Sequence, residues 1–105
     1  MYLLIYMTAP NKEEAKRIGR ILVEERLAAC VNIFPEIDSF YWWQGKLEDE
    51  REAVVVAKTT EAQRERLVQR VVELHPYECP CILSFKIDGG YEPFLNWIGE
   101  ETKSS

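Results

Sequence analysis

The sequence predicts one α+β domain: an antiparallel four-stranded sheet, two helices packed on one of its faces, and a short third helix at the C-terminus. Three observations predict it. Short apolar runs alternate with stretches of helical period in the order strand, helix, strand, strand, helix, strand. The 105 residues suffice for one domain spanning 1–105, which buries about two thirds of the surface of its unfolded chain. An apolar fraction of 47%, 30% charged residues, five Gly and five Pro describe a globular chain without the bias of disordered or fibrous sequence.

Tyr2 to Thr8 is a strand apolar on both faces, as a central strand must be, and Pro10 ends it. Asn11 with Glu14 has capping-box spacing, and Ala15, Ile18 and Leu22 form the stripe of a helix running to about Arg26, with Gly19 allowing close approach to the sheet. Ala29 to Phe34 places Ala29, Val31 and Ile33 on one face of a second strand; Pro35 interrupts its ladder, and the chain resumes from Asp38 to Trp43 as one long, bent strand. Gln44-Gly45 is the turn of a hairpin whose returning strand is Glu52 to Lys58, rich in valine. Thr60 and Gln63 repeat the capping-box spacing before a second helix with Leu67, Val68, Val71 and Leu74 as its stripe, closed by His75-Pro76. Pro80 to Ile87 is the last strand, more apolar on the side of Cys81, Leu83, Phe85 and Ile87. A short helix with Phe94, Leu95, Trp97 and Ile98 follows and frays into a polar tail at Lys103. This order is the split βαβ arrangement of a ferredoxin-like βαββαβ sandwich with an extra C-terminal helix.

In that arrangement one sheet face is bare. Four consecutive aromatics, Phe40, Tyr41, Trp42 and Trp43, cannot all enter the helix-covered core, so apolar surface remains for a partner, and the simplest partner is another copy of the chain.

A formal net charge of −5 argues against a nucleic-acid or anionic-membrane surface. The basic residues Lys12, Lys16, Arg17, Arg20, Arg64, Arg66 and Arg70 alternate with glutamates at helical spacing, as on solvated helix faces. Three cysteines, Cys30, Cys79 and Cys81, and an N-terminus without signal-peptide features fit the cytoplasm.

His75, the one histidine, stands where a helix C-terminus needs a donor, and it is also the one imidazole available to a metal. Cys79 and Cys81, two apart on an extended segment, could share a soft metal with His75 or Glu78, or pack as small apolar side chains. Cys30 has no base beside it and reads as a packing residue. The loop Thr8-Ala9-Pro10-Asn11 lacks the Gly and Arg of a phosphate cradle, which disfavours a phosphohydrolase, and three cysteines fall short of the four thiolates of an iron–sulfur cluster.

The segments Thr8-Ala9-Pro10, Leu27-Ala28-Ala29-Cys30-Val31-Asn32-Ile33, Tyr41-Trp42-Trp43-Gln44-Gly45-Lys46, Lys58-Thr59-Thr60, His75-Pro76-Tyr77-Glu78-Cys79-Pro80 and Phe94-Leu95-Asn96-Trp97-Ile98 together resemble the CutA divalent-cation-tolerance family along nearly the whole chain. The resemblance implies a cytoplasmic homotrimer without enzymatic activity, associated with tolerance to copper and other divalent cations. Copper-binding members can use a cysteine on the first strand and two adjacent histidines ending the second helix. The matching positions here are Met7, Leu74 and His75, so one ligand is retained and Met7, a thioether, suits Cu(I). In such a trimer Asn32, Trp43, Lys58, Tyr77 and Glu78 converge on a cleft between subunits. The likeness of the fold to the PII signalling proteins adds an alternative: a sensor that binds a small anionic metabolite in that cleft, with Lys58 at its edge.

Overall fold

A computed structural model describes residues 1–103. Its elements are β1 (Tyr2–Ala9), α1 (Lys12–Glu24), β2 (Cys30–Trp43), β3 (Lys46–Thr60), α2 (Arg64–Leu74), β4 (Ile82–Lys86) and α3 (Glu92–Glu101). The strands form one sheet in the order β2-β3-β1-β4, with every neighbouring pair antiparallel. This is the ferredoxin-like arrangement, and β1 is internal as its two apolar faces require. No helix among the described residues is long and apolar enough to cross a membrane.

Helix α1 begins as its sequence specifies: the Asn11 side chain accepts from the Glu14 N–H at 2.8 Å. It ends at Glu24, two residues before the expected boundary, because Arg26 adopts φ 60°. Leu27 N–H then bonds to the Leu22 carbonyl and Arg26 N–H to that of Val23, a Schellman closure built without glycine. Leu22 and Leu27 are both buried there. The second capping box does not form. Thr60 makes no side-chain cap bond, a short 3-10 turn over Glu61–Gln63 intervenes, and the Gln63 amide instead donates to the Thr102 carbonyl at 2.7 Å, tying α3 to the start of α2. Thr102 in turn bonds back to the Ile98 carbonyl; the polar tail beyond Lys103 lies outside the described residues.

The core lies between the sheet and helices α1 and α2. Leu3, Ile5 and Met7 of β1 and Val55 and Ala57 of β3 meet Ala15, Ile18 and Leu22 of α1 and Leu67 and Val71 of α2. Gly19 is part of this contact: a Cβ there would stand 2.9 Å from Val31 Cγ2, so the helix approaches β2 as closely as a missing side chain allows. On the helix surfaces, Arg17 pairs with Glu14 and caps the Leu74 carbonyl of α2 at 2.6 Å, while Arg70 makes a bidentate bond to Glu25 across the two helices. These exposed pairs confirm solvated faces and individually contribute little.

Strand β3 starts at Lys46, six residues before the expected Glu52, because the acidic stretch pairs with β2 along the whole hairpin as far as Trp43↔Lys46. Gln44 (φ 51°) and Gly45 (φ 80°) make the two-residue turn with both centres left-handed, the type whose twist suits a hairpin. The arm projects from the body, giving extents of 44 × 25 × 21 Å.

At Pro35 the ladder is broken as the proline requires. Phe34 pairs with Val54 and Ile37 with Glu52, so Pro35 and Glu36 together oppose Ala53. The extra residue reverses side-chain parity. Before the bulge, Val31 and Ile33 face the helices with Ala57 and Val55; after it, Ile37, Tyr41 and Trp43 stand with Glu52 on the opposite, helix-free face. None of the four aromatics enters the core: Phe40 and Trp42 are 69% and 73% exposed, Tyr41 and Trp43 37% and 39%. The apolar side of β4 is on the bare face too, since Leu83 and Phe85 pair with Tyr6 and Leu4.

Glycine substitutions in the helices should therefore differ in sign. Gly19→Ala lowers stability by about 1 kcal/mol net, because overpacking of about 1–3 kcal/mol outweighs a helix-propensity gain of about 1 kcal/mol. Gly99→Ala in α3, whose added Cβ would meet Tyr2 at an ordinary 3.7 Å, raises stability. Gly45→Ala costs about 1–2 kcal/mol through its left-handed backbone alone, since nothing lies within 4 Å of the added carbon. Denaturant unfolding midpoints of the three variants measure all of these effects.

Candidate functional site

The bare face carries one large cleft, about 790 Å³, where the base of the β2–β3 hairpin meets the segment that follows α2. Its walls come from Tyr6 and Thr8 of β1, Ile37 to Tyr41 and Trp43 of β2, Glu52 of β3, and Pro76, Tyr77, Glu78, Cys79 and Cys81. The bulge at Pro35 supplies one wall by turning Tyr41 and Trp43 to this side. His75 positions the other, which is formed by the residues that follow it.

His75 ends α2 with its N–H bonded to the Val71 carbonyl. Its ring is buried, and both ring nitrogens are used: Nδ1 accepts from the Tyr77 N–H at 3.1 Å, and Nε2 lies 2.7 Å from the Thr8 carbonyl. A backbone N–H can only donate and a carbonyl can only accept, so the proton sits on Nε2 and the ring is neutral. The imidazole thus fastens the chain after α2 to the end of β1. Tyr77 packs on it with ring centroids 4.7 Å apart and extends its hydroxyl into the cleft, where it donates to Glu52 Oε2 at 3.0 Å.

Glu52 is buried at 7% exposure, with one carboxylate oxygen bonded to Tyr77. Its field and the loss of water act in the same direction on three neighbours. Burial, then the Glu52 bond, pushes the Tyr77 phenol far above its ordinary value. Burial and the charges of Glu52, Glu50 and Glu48 raise Tyr41. Burial followed by Glu52 raises the Cys81 thiol, with a Thr8 hydrogen bond opposing them. The cleft is therefore acidic, and these three groups remain protonated at neutral pH.

The residues expected at a site are only partly gathered. Trp43, Tyr77, Glu78, Cys79 and Cys81 line the cleft. Asn32 and Lys58 do not; they lie elsewhere on the bare face, with the Lys58 ammonium bonded to the Asn32 side-chain oxygen. Among the described residues no lysine, arginine or histidine lines the cleft, so within one chain they offer no cation with which to hold an anionic metabolite. Cys79 and Cys81 precede β4, which begins at Ile82, so they are not on a strand; Cys79 is exposed and Cys81 half-buried. Cys30 is half-buried in β2, and all three thiols are free.

The residues at the family's copper positions do not fit a metal. Leu74 offers no donor, Met7 is buried in the core, and His75 has no lone pair left over. Among the described residues no group of three or more His, Cys, Asp or Glu is placed to hold a metal ion. Glu52, the partner of the expected Tyr77, is the cleft residue that the sequence did not single out, since a glutamate in a strongly acidic strand has no distinguishing local signal.

Comparison with known proteins agrees with this architecture along the whole chain. The family model described as CutA1 divalent ion tolerance protein matches residues 3–101. A divalent-cation tolerance protein CutA from Archaeoglobus fulgidus is 46% identical over 100 residues, covering 95% of this chain and 97% of the relative. The solved structure described as the periplasmic divalent cation tolerance protein CutA from that organism superposes with a TM-score of 0.95 at 44% identity, covering 98% of this chain and 100% of the other. The divalent cation tolerance protein from Thermus thermophilus also gives a TM-score of 0.95, at 42% identity and the same coverage. Matched from end to end in sequence and in fold, the chain belongs to the CutA1 divalent ion tolerance protein family.

Proposed function

We propose that the chain is a non-enzymatic divalent-cation tolerance protein that acts in the cytoplasm as a homotrimer. The full-length family match carries this reading. Assembly is supported by the helix-free face, where Phe34, Leu83 and Phe85 are each more than half exposed, and by the aromatic arm that projects beyond the body. Surface of this kind is what association of like subunits removes from water. The half-buried and exposed free thiols support a reducing compartment.

The metal connection runs through the thiols and not through His75. Cys79 and Cys81 flank Pro80 beside the cleft and offer two soft donors, which favour Cu(I) over harder divalent ions. Glu78 is a weaker contributor, and the Met7 thioether, buried in the core on the other side of the sheet, is out of reach. Since burial holds the Cys81 thiol protonated, the ion must displace a proton to bind it, and affinity rises with pH.

Titration with Cu(I) at several pH values, with mass followed by light scattering, tests both parts. The expected result is a trimer whose copper affinity grows with pH and disappears in Cys79→Ser/Cys81→Ser. His75→Ala retains copper but is less stable by about 2–4 kcal/mol, because it empties a buried position and orphans the Thr8 carbonyl and the Tyr77 N–H. Loss of copper in His75→Ala with the double cysteine variant unaffected would place the metal on the imidazole. A monomer at micromolar concentration would remove the assembly from the reading.

A further inference from the structure

The cleft contains more recognition chemistry than the thiols use. The aromatic side chains of Tyr6, Tyr41, Trp43 and Tyr77 line it, together with the carboxylates Asp38, Glu52 and Glu78. An acidic cleft walled by π-faces attracts one class of small molecule above others: an organic cation too weakly hydrated to resist leaving water. A carboxylate is available at its floor. Glu52 is nine-tenths buried, Tyr77 occupies its Oε2, and Oε1 receives no hydrogen bond among the described residues. An inorganic cation is less well suited, since among the described residues no three His, Cys, Asp or Glu side chains gather around one point.

We propose that this cleft is a binding site for a small organic cation, an alkylated ammonium group, seated against Trp43, Tyr41 and Tyr77 with Glu52 as its counter-charge. Tyr41 and Tyr77 present neutral rings whose negative faces suit a cation, and the Tyr77 hydroxyl, which donates to Oε2, leaves Oε1 to face the ammonium. An anionic ligand would meet three carboxylates and no cation. The two readings share the cleft but use different groups: rings and the Glu52 carboxylate serve the ammonium, thiols the metal.

Choline and its uncharged isostere 3,3-dimethylbutan-1-ol, which differ by one charge at nearly equal shape, are the probes. In ligand-observed NMR titrations of the assembled full-length protein at constant ionic strength, choline is expected to bind saturably and the isostere about tenfold or more weaker. Glu52→Gln retains an acceptor for the Tyr77 hydroxyl, and Trp43→Leu alters a side chain outside the core; each should weaken choline about fivefold or more with the melting curve little changed. Equal binding of the two probes, wild-type choline affinity in both variants, or no saturable choline binding by the wild type would each overturn the proposal. Copper binding, read on the same samples through Cys79→Ser/Cys81→Ser, reports on the metal separately, so failure of one is distinguishable from failure of the other.

Discussion

The missing N–H of Pro35 is the constraint on which the rest of the molecule depends. A proline within a paired strand leaves a gap in the ladder, and the chain fills the gap by setting two residues, Pro35 and Glu36, against Ala53. One extra residue in a structure of period two exchanges the faces of everything beyond it. The base of β2 consequently gives Val31 and Ile33 to the core, while the arm gives Tyr41 and Trp43 to the bare side. The same long strand supplies a core, a projecting arm and a wall of the cleft.

The opposite wall depends on an equally local device. His75 bonds at once to the end of β1 and to the backbone two residues ahead of itself, so the turn after α2 is held to the sheet by a single neutral ring. Tyr77 extends this connection to Glu52, and β1, α2 and β3 become one hydrogen-bonded unit around the cleft. A histidine that already uses both nitrogens is a structural fastener. Releasing either for a metal would cost a buried hydrogen bond and loosen the wall it supports. The acidic character of the cleft follows from the same placement, because Glu52 is brought inside with the Tyr77 hydroxyl as its partner.

Much of the fold was legible because local signals and tertiary demand coincide. The β1 run, the Asn11 cap, the α1 stripe with Gly19 and the break at Pro35 each arise from a short-range cause that the tertiary contacts then confirm. The second capping box was misleading because Gln63 found a more remote partner, the Thr102 carbonyl, which no local spacing can indicate. Strand β3 began earlier than its composition suggests, since pairing with β2 overrides the low strand propensity of its glutamates and aspartate. The grouping of Trp43 and Tyr77 beside Glu78 was readable as polar and aromatic residues near element ends, but the separation of Lys58 and Asn32 from them was not.

The sequence by itself determined the order and type of the elements, the family and the existence of apolar surface beyond the core, because these follow from periodicity, turn chemistry and residue composition along the chain. Only the tertiary structure decided what that surface is. Which face each aromatic of the arm takes depends on a register counted across two strands, and the role of His75 depends on a carbonyl 67 residues away. The charge of the cleft depends on one glutamate, among several in β3, being turned inward beneath Tyr77. Each is a relation between residues distant in sequence, set by how the strands pair and where the turns between them close.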